Sequence, residues 1–486
     1  MSTDDHISAD VCIVGAGIAG LNALFVASRY LKPEQKVVLV DRRSSVGGMW
    51  VDTYPYVRLH QPHPLFTAGN IKWTIGREPE YLADRDEVLA HLHHCLGEIG
   101  KRIRIDVRLG WTYDGFVEHS NRVEITCHDG DRTLRITADK LITAYGARVI
   151  PNEPLELSSD QVHSVSPDYC DMRGAQIKSN NAPVWVIGGG KTGMDTANAL
   201  LTEFPGREVN LIAGSGTFFT RRDELLPAGR KRWFGGTRPN KVFVEMARRF
   251  DGTNETEVRD WFRRTYALQI TPDPRNYFFA FLSDAENEFV RAGINEVLTD
   301  HCVDVTDDGG SPVLNLRSGD SRPVEPGSWF VNCTGYLNAK DFPYEPVLSA
   351  GGRVMSVNSR ALTLAFSSFC GYFHAHLFFL DKLATTPLYE LDYDELRRKS
   401  AGVFPYAVAT LLQYNLGLIY DALPAKAFLE WGLNFDRWYP LPRQIAGQVQ
   451  YRMTYRRHRE HYKQTLDTVR ERFDVHCGPS LRTAVS

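Results

Sequence analysis

Two stretches of this 486-residue chain share one pattern: a short apolar run, a glycine-rich turn and a helix-forming segment. The first lies at residues 9–30 and contains GAGIAG; the second lies at residues 183–204 and contains GGGKTG. In such units the first glycine makes a tight turn, the second lets backbone amides approach a pyrophosphate, and the third lets the helix pack on the strand. The pattern occurs twice, which predicts two dinucleotide-binding domains.

The first loop is followed, about twenty residues on, by an acid at the end of an apolar run, as the dinucleotide fingerprint requires. That acid is Asp41, which we expect to accept the ribose hydroxyls. An ordinary glycine turn is the alternative, and the strand, the helix and the acid argue against it together. The residues predicted to contact the cofactor here are Gly15, Ala16, Gly17, Ile18, Ala19, Gly20, Asp41 and Arg42.

The second loop adds a charge and a hydroxyl to the phosphate turn. Its predicted cofactor residues are Gly188, Gly190, Lys191, Thr192 and Gly193. The next apolar run, residues 208–212, is followed by Ala-Gly-Ser-Gly and no acid, which favours NADP over NAD. We expect Ser215, Arg221 and Arg222 to bind the 2′-phosphate, the alternative being that both arginines are ordinary surface charges.

Several motifs resemble those of flavin-containing monooxygenases and their Baeyer–Villiger relatives. VGGMW at residues 46–50 resembles the GGxW that accompanies FAD in that family, and GGGKTGMD at residues 188–195 resembles its NADPH loop. TAYG at residues 143–146 and CTGY at residues 333–336 resemble its two ATG-like motifs, with Tyr145 in place of the usual threonine. The resemblance covers most of residues 7–339. It implies further cofactor contacts at Gly48, Met49, Trp50, Arg58, Leu59, Val107, Ala144, Gly146, Gly335 and Tyr336.

The segment YPYVRLHQP at residues 54–62 resembles the stretch that flanks the flavin ring in this family. His60 takes the position of an asparagine of the animal enzymes, so His60 and Gln61 are predicted as the catalytic, hydrogen-bonding neighbours of the flavin C4a region. A structural role for His60 and a structural salt bridge for Arg58 are the alternatives. The resemblance implies that NADPH reduces FAD and that oxygen then gives a flavin C4a-(hydro)peroxide.

One family signature is altered. FxGxxxH corresponds here to LSSDQVH at residues 157–163, in which both Phe and Gly are replaced, and the following aromatic comes late, at Tyr169. His163 either steadies NADPH at the domain junction or is a loop histidine. The departure weakens assignment to either branch of the family.

Composition excludes several classes of protein. The net charge of −3 does not suggest a nucleic-acid binder or a chain held to an acidic membrane by charge. None of the eight cysteines forms a CxxC or another metal-like spacing, which argues against a metal site and a redox dithiol and favours the cytoplasm. The acidic, polar first ten residues lead us to expect no signal peptide before the first strand.

Two later segments have membrane alternatives. Residues 361–380 are about as long as a bilayer span, but His374 and His376 within them favour a buried core segment. The basic stretch 451–473 is expected to be a solvated terminal helix, with contact to a membrane or a partner as the alternative.

The predicted fold is α/β, with two Rossmann-like dinucleotide-binding domains for FAD and NADP, a helical insertion and a helical C-terminal region. Residues 1–165 form the first part of the FAD domain, residues 166–335 the NADP domain with an insertion at about 224–300, and residues 336–486 complete the FAD domain and form the C-terminal region.

The predicted activity is an FAD- and NADPH-dependent monooxygenase that oxygenates a small organic substrate at nitrogen or sulfur. The alternatives are a Baeyer–Villiger monooxygenase, an NAD(P)H-dependent flavin oxidoreductase or dehydrogenase without oxygenation, and a non-enzymatic flavoprotein. The expected partners are the substrate and molecular oxygen, with no nucleic acid, no transmembrane segment and a homodimer left open.

Overall fold

The computed structural model describes residues 5–145, 152–167, 175–335 and 343–480. Its first part is a twisted sheet with two helices. The elements are β1 (Asp5–Val14), α1 (Ile18–Tyr30), β2 (Lys36–Asp41), α2 (Arg85–Gly100), β3 (Arg104–Leu109), β4 (Thr112–Glu118), β5 (Val123–Asp129) and β6 (Arg132–Thr143), with short 3-10 turns at Gly48–Val51 and His63–Leu65.

β1 lies at the centre of this sheet, parallel to β2 on one side and to β6 on the other. β3 extends the parallel part beyond β2, and β4, β5 and β6 form an antiparallel meander. The apolar run Val11, Cys12, Ile13 and Val14 is buried because both faces of the parallel sheet are covered. The parallel strands therefore all end at one edge, next to the first glycine loop.

The second part repeats the parallel arrangement. Its elements are β7 (His163–Val165), α3 (Ala175–Lys178), β8 (Val184–Ile187), α4 (Lys191–Glu203), β9 (Val209–Ile212), β10 (Phe218–Arg221), α5 (Arg222–Leu225), α6 (Lys231–Phe234), α7 (Pro239–Arg249), α8 (Glu255–Tyr266), β11 (Ala267–Gln269), β12 (Phe281–Leu282), α9 (Asp284–Gly293), β13 (Glu296–Leu298), β14 (Cys302–Asp308), β15 (Ser311–Leu316), β16 (Ser321–Pro323) and β17 (Trp329–Asn332). Five strands pair in parallel in the order β13-β9-β8-β17-β7.

The predicted helical insertion contains helices α5 to α9, and it also contains short strands. β11 and β12 flank β10 in a small sheet, and β13 forms the edge of the second parallel sheet. Strands of two or three residues are too short to show a period of two, so sequence periodicity did not reveal them. They bring residues near 280 next to β10.

The chain then returns to the first sheet. The remaining elements are β18 (Val354–Ser356), α10 (Ser367–Phe379), β19 (Tyr389–Leu391), α11 (Tyr393–Lys399), α12 (Phe404–Ala422), α13 (Ala425–Leu429), α14 (Leu441–Phe473) and β20 (Cys477–Pro479), with 3-10 turns at Ser359–Ala361 and Phe435–Trp438. β18 pairs in parallel with the end of β6. The α/β fold with two Rossmann-type sheets and a helical C-terminal region is thus confirmed.

The apolar segment 361–380 forms α10, which packs against α1 inside the core. The two helices cross so closely that a Cβ atom on Gly371 would overlap the carbonyl oxygen of Ala19. His374 bonds to the Thr363 hydroxyl at 2.5 Å, and burial lowers the pKa of His374 to about 3. The expected buried segment is confirmed. No helix in the described part of the chain combines the length and apolar character of a membrane span.

The expectation of a solvated terminal helix is wrong for one face of α14. That face buries Tyr455, Tyr462, Leu466 and Val469, and it packs against α12 and α7. The arginines of the basic stretch lie on the other faces, where they stay in contact with water. The stretch 451–473 was predicted to be solvated because its charged residues outnumber the few apolar residues of the buried face.

The crossing of α1 and α10 predicts a position-specific effect of adding one methyl group. Gly371→Ala forces Ala19 and α10 apart, so we expect the free energy of unfolding to fall by about 1–3 kcal/mol. Gly97→Ala is the matched control because Gly97 is helical and exposed and its Cβ would meet nothing. That change should raise the stability by about 0.5–1 kcal/mol. Equal effects in urea unfolding would contradict the close crossing.

Candidate functional site

The two glycine turns have nearly the same backbone. Gly15 has φ +107° and Gly188 has φ +118°, a region that side chains rarely adopt. Gly17 and Gly190 cap their helices with φ/ψ of −83°/−176° and −81°/−174°. The repeated sequence pattern therefore reflects a repeated three-dimensional turn.

The third glycines of the two turns are also equivalent. A Cβ on Gly20 would overlap the carbonyl of Gly15, and a Cβ on Gly193 would overlap that of Gly188. Only a glycine lets each helix start this close to its strand. The close start directs the first-turn amides of α1 and α4 toward the mouth of each turn.

These helix starts fit a dinucleotide. Neither Gly17 nor Gly190 supplies a side-chain cap, so the first-turn amides of Ile18 and Ala19, and of Lys191 and Thr192, have no capping side chain. Amides of this kind, together with the helix dipole, bind phosphate groups. A Cβ on Gly190 would meet no protein atom, so the space beside it is open to a ligand.

Asp41 holds the first turn from behind. It is buried, its Oδ2 accepts the Ala16 amide at 2.7 Å, and its Oδ1 accepts the Arg43 amide at 2.8 Å. Each carboxylate oxygen has a further lone pair that could accept a ribose hydroxyl. Arg42 lies next to it, exposed at the end of β2.

The GGMW segment lies directly on the first glycine turn. The amide of Gly47 donates to the carbonyl of Ala16 at 3.0 Å, and a Cβ on Gly48 would lie 2.8 Å from the Cα of Gly17. Trp50 is buried and meets Phe66 edge to face. Met49 is 37% exposed, so its side chain can be reached from solvent.

The other predicted FAD contacts lie at the ends of nearby strands. Val107 is a partly exposed residue of β3, and the amide of Ala144 donates to Val14 at 2.7 Å just beyond β6. Gly335 follows β17 with φ +78°. Gly146 and Tyr336 lie outside the described residues.

Arg58 and Leu59 differ in exposure. Leu59 is buried, and its amide donates to Ala83 at 2.9 Å. Arg58 is exposed, donates to the Leu82 carbonyl at 3.2 Å and lies over the Tyr81 ring. Arg58 therefore stabilises a loop. This is a structural role, as in the alternative given for Arg58 in the sequence analysis, but through a carbonyl and a ring.

Two tyrosines join the two nucleotide units. The Tyr54 hydroxyl donates to Asp195 at 2.9 Å, and the Tyr56 hydroxyl bonds to Thr196 at 2.9 Å. Asp195 in turn pairs with Lys191 of the second turn. Burial raises the pKa of Asp195, and the Lys191 charge and the Tyr54 hydrogen bond oppose that rise. The segment that follows GGMW is therefore fixed to the helix that follows the second glycine turn.

His60 lies at this junction as a neutral imidazole. Burial and the charges of Lys191 and Arg222 lower the pKa of His60 to about 3. The Phe281 amide donates to its Nδ1 at 3.0 Å, so the ring proton must be on Nε2. His60 can thus donate one hydrogen bond from Nε2.

Gln61 is buried, and its Oε1 accepts no hydrogen bond from the described residues. An unsatisfied buried acceptor costs about 1–3 kcal/mol, so its persistence suggests a donor from a bound group. A flavin ring offers an N–H donor. This orphan oxygen fits the predicted flavin neighbour.

An aromatic cavity opens beside His60. The centroids of the His60 and Phe281 rings are 5.5 Å apart, and Phe281 lines a cavity whose enclosed part has room for little more than a water molecule. Among the described residues on its wall, only Thr220 and Tyr277 have polar side chains, and their hydroxyls bond to each other at 2.7 Å. The other lining residues are Leu225, Pro239, Val242, Phe243, Met246, Phe262, Phe279, Phe366 and Phe435.

The two arginines predicted to bind a 2′-phosphate are engaged with acids of α9. Arg221 pairs with Asp284 at 2.9 Å. Arg222 is mostly buried, pairs with Glu286 at 2.7 Å and donates to the His60 carbonyl at 3.3 Å. Arg222 therefore belongs to the junction beside His60.

A residue that the sequence analysis missed lies beside Ser215. The amide of Arg275 donates to the Ser215 carbonyl at 3.1 Å, directly after β9. Its side chain is exposed and forms no ion pair within the described ranges. Sixty residues separate the two positions in sequence, and no local motif marks the pairing.

His163, in the altered signature, lies on the edge strand β7. Its side chain is exposed and packs against Trp329 at 4.6 Å between ring centroids. Tyr169 lies outside the described residues. No cluster of metal-ligating side chains occurs in the described part of the chain, and no disulfide joins any of the seven cysteines there.

Comparisons with known proteins agree with this arrangement. Residues 9–228 match the family described as pyridine nucleotide-disulphide oxidoreductase. An uncharacterized protein of Mycobacterium tuberculosis is 25% identical over 455 residues, covering 86% of this chain and 79% of the relative. The FAD-containing monooxygenase EthA of Mycolicibacterium smegmatis is 30% identical over 142 residues, covering 28% of this chain and 27% of the relative.

Among solved structures, an oxidized steroid monooxygenase bound to NADP is similar in fold, with a TM-score of 0.51 and 15% identity over 91% of this chain and 98% of that chain. The comparisons confirm the resemblance to flavin monooxygenases and the predicted enzyme class, an NAD(P)H-dependent flavoprotein oxidoreductase.

Because each turn is predicted to bind its own nucleotide, a change in one turn should weaken the binding of that nucleotide alone. In Gly17→Ala the methyl group would lie 3.2 Å from the Cα of Gly48 and push the GGMW segment away from the first turn, so FAD affinity should fall at least about tenfold, or 1.4 kcal/mol. In Gly190→Ala the methyl group meets no protein atom, so FAD content should stay normal while NADPH binding weakens. FAD absorbance per protein and NADP⁺ titration measure both. Loss of FAD in both variants, or in neither, would contradict the assignment of the turns.

Proposed function

We propose that this protein is an FAD- and NADPH-dependent monooxygenase that transfers one oxygen atom to nitrogen or sulfur in a small organic molecule. The reaction consumes NADPH, a proton and dioxygen, and it gives NADP⁺, water and the oxygenated substrate. The junction of the two glycine turns at Tyr54 and Asp195 carries the proposal, because hydride transfer requires the nicotinamide and the flavin to meet. The cytoplasmic location and a homodimer stay predictions.

The chain's own groups would bind and orient the two nucleotides. The amides of α1, with Asp41 behind them, would hold FAD, and those of α4, with Lys191 beside them, would hold NADPH. The bound flavin would supply the redox and oxygen chemistry, which no side chain can perform.

His60 and Gln61 would supply hydrogen bonds without a charge. The Phe281 amide fixes the His60 tautomer, so Nε2 donates, and the lowered pKa keeps the ring neutral across the physiological range. Gln61 offers a buried acceptor at the neighbouring position. A neutral donor can orient a reacting oxygen without discharging a proton to it.

The aromatic side chains around the cavity beside His60 would have to move apart to admit a substrate, and they would give it an apolar surface. None of the described residues on this wall carries a charge, and its two hydroxyls satisfy each other. A buried charge without a partner is costly, so this surface favours an uncharged sulfide or amine with an apolar body.

The position of Arg275 favours NADPH as the donor. Its backbone is bonded to Ser215 at the end of β9, where a 2′-phosphate lies in such folds. Ser215 offers a hydroxyl there and Arg275 a cation. Asp300 is an acid near this loop, since its carbonyl accepts the Gly214 amide at 2.9 Å. Its carboxylate accepts hydrogen bonds from the backbone amides of His301 and Ser318.

The timing of oxygen use tests the activity. Enzyme reduced anaerobically with NADPH is mixed with dissolved oxygen and methyl phenyl sulfide. We expect oxygen to disappear before oxidised-flavin absorbance returns, and the sulfoxide to carry an atom from labelled dioxygen.

Simultaneous oxygen loss and flavin oxidation, with hydrogen peroxide equal to the NADPH consumed, would instead identify an oxidoreductase without oxygenation. Conversion of phenylacetone to its ester but no sulfoxide would identify Baeyer–Villiger chemistry. Either result would overturn the proposal.

The cation beside Ser215 can be tested separately. Arg275→Gln should raise the KM for NADPH about tenfold or more and leave the KM for NADH unchanged, because only NADPH has the 2′-phosphate. Arg221→Gln is the matched control, since Arg221 is held by Asp284. If only Arg221→Gln raised the KM for NADPH, the 2′-phosphate would be bound by Arg221, as predicted from sequence.

A further inference from the structure

A second cavity lies one helix away from the aromatic one. It is a cleft partly open to solvent, with about 890 Å³ of empty space when the open part is included, and it is walled by α7, α12, α14 and the loop before α14. None of the described residues that are predicted to contact FAD or NADPH lines it.

The wall of this cavity is organised around Arg238. A Cβ on Gly447 would overlap the Arg238 guanidinium, so the absence of a side chain on α14 makes room for that group. Arg238 bonds to Asp436 at 3.3 Å and to Gln450 at 3.2 Å. The buried Asp436 also accepts the Asn240 amide at 3.1 Å.

Two buried polar atoms on the wall have no partner. Gln413 and Trp431 are each 3% exposed. The acceptor Oε1 of Gln413 and the donor Nε1 of Trp431 make no hydrogen bond with any residue that the structure describes. Each such atom costs about 1–3 kcal/mol unless a bound group satisfies it. The site thus calls for a molecule that both donates and accepts.

Among the described residues that line the cavity, positively charged side chains outnumber negatively charged ones by one. Arg238 is matched by Asp436, and Lys241 lies 3.6 Å from Glu245. Arg248, exposed at the rim, has no acid partner in the described ranges. The uncompensated charge favours a monoanion.

The remaining wall is aromatic. Tyr420 and Tyr451 lie 5.2 Å apart between ring centroids, and Trp431 is anchored edge-on against Phe369 at 4.9 Å. One face of Tyr420 stacks on Phe428 and one face of Tyr451 stacks on Tyr455, and the rest of each ring favours a ring in the ligand. An aliphatic acid would leave that surface poorly covered.

We propose that this cavity binds a small aromatic monocarboxylate with a hydroxyl group. The carboxylate pairs with Arg248, the ring packs on Tyr420 and Tyr451, and the hydroxyl donates to Gln413 and accepts from Trp431. The site is independent of the proposed oxygenation, and α7 separates the two: Val242 and Met246 line the aromatic cavity, whereas its other face lines this one.

Calorimetric titration of the FAD-loaded protein with 4-hydroxyphenylacetate tests the site. We expect saturable binding. The neutral isostere 4-hydroxyphenylacetamide should bind with an affinity at least tenfold lower. Arg248→Gln and Gln413→Leu should each weaken binding of the acid about tenfold, and Gln413→Leu should not lower the melting temperature because it removes an unsatisfied acceptor. Arg457→Gln, an exposed arginine of α14 outside the cavity, should leave binding unchanged.

Saturating NADP⁺ separates this site from the nucleotide sites. We expect the acid to bind with the same affinity in its presence. Displacement by NADP⁺, absence of binding at millimolar acid, or binding unaffected by both cavity variants would overturn the proposal. These readouts involve no turnover, so their failure leaves the oxygenation test untouched.

Discussion

The hydrogen bond from Tyr54 to Asp195 is the contact on which the arrangement of the site depends. It ties the segment after the first glycine turn to the helix that begins at the second, and Lys191 completes the connection. The partners are largely buried, so breaking the contact leaves a carboxylate without one of its donors. The junction thereby fixes which residues face each other where the two nucleotides would meet.

His60 depends on this junction in two ways. Its low pKa comes from burial and from Lys191 and Arg222, which the junction holds near the ring. Its tautomer comes from Phe281 of β12, which lies far along the chain, beyond the second glycine turn. A histidine that follows the first glycine turn thus obtains its charge state and its proton position from residues at and beyond the second.

The glycine turns could be predicted from sequence because their geometry is a property of a few consecutive residues. Gly15 and Gly188 need positive φ, and in the first unit Asp41 follows at the expected distance. The position of Arg275 and the cavity at Phe281 could not be predicted, because they arise from pairings across the insertion. The family motifs end near residue 339, and both cavities are built largely from segments outside those motifs.

The most direct measurement is the rate of anaerobic flavin reduction by saturating NADPH in Tyr54→Phe, with FAD content and NADP⁺ affinity measured on the same protein. If the junction aligns the two nucleotides, the rate falls about tenfold or more, or about 1.4 kcal/mol in activation free energy, while FAD remains bound. A reduction rate equal to that of the unmodified protein, at equal FAD content, would contradict the account.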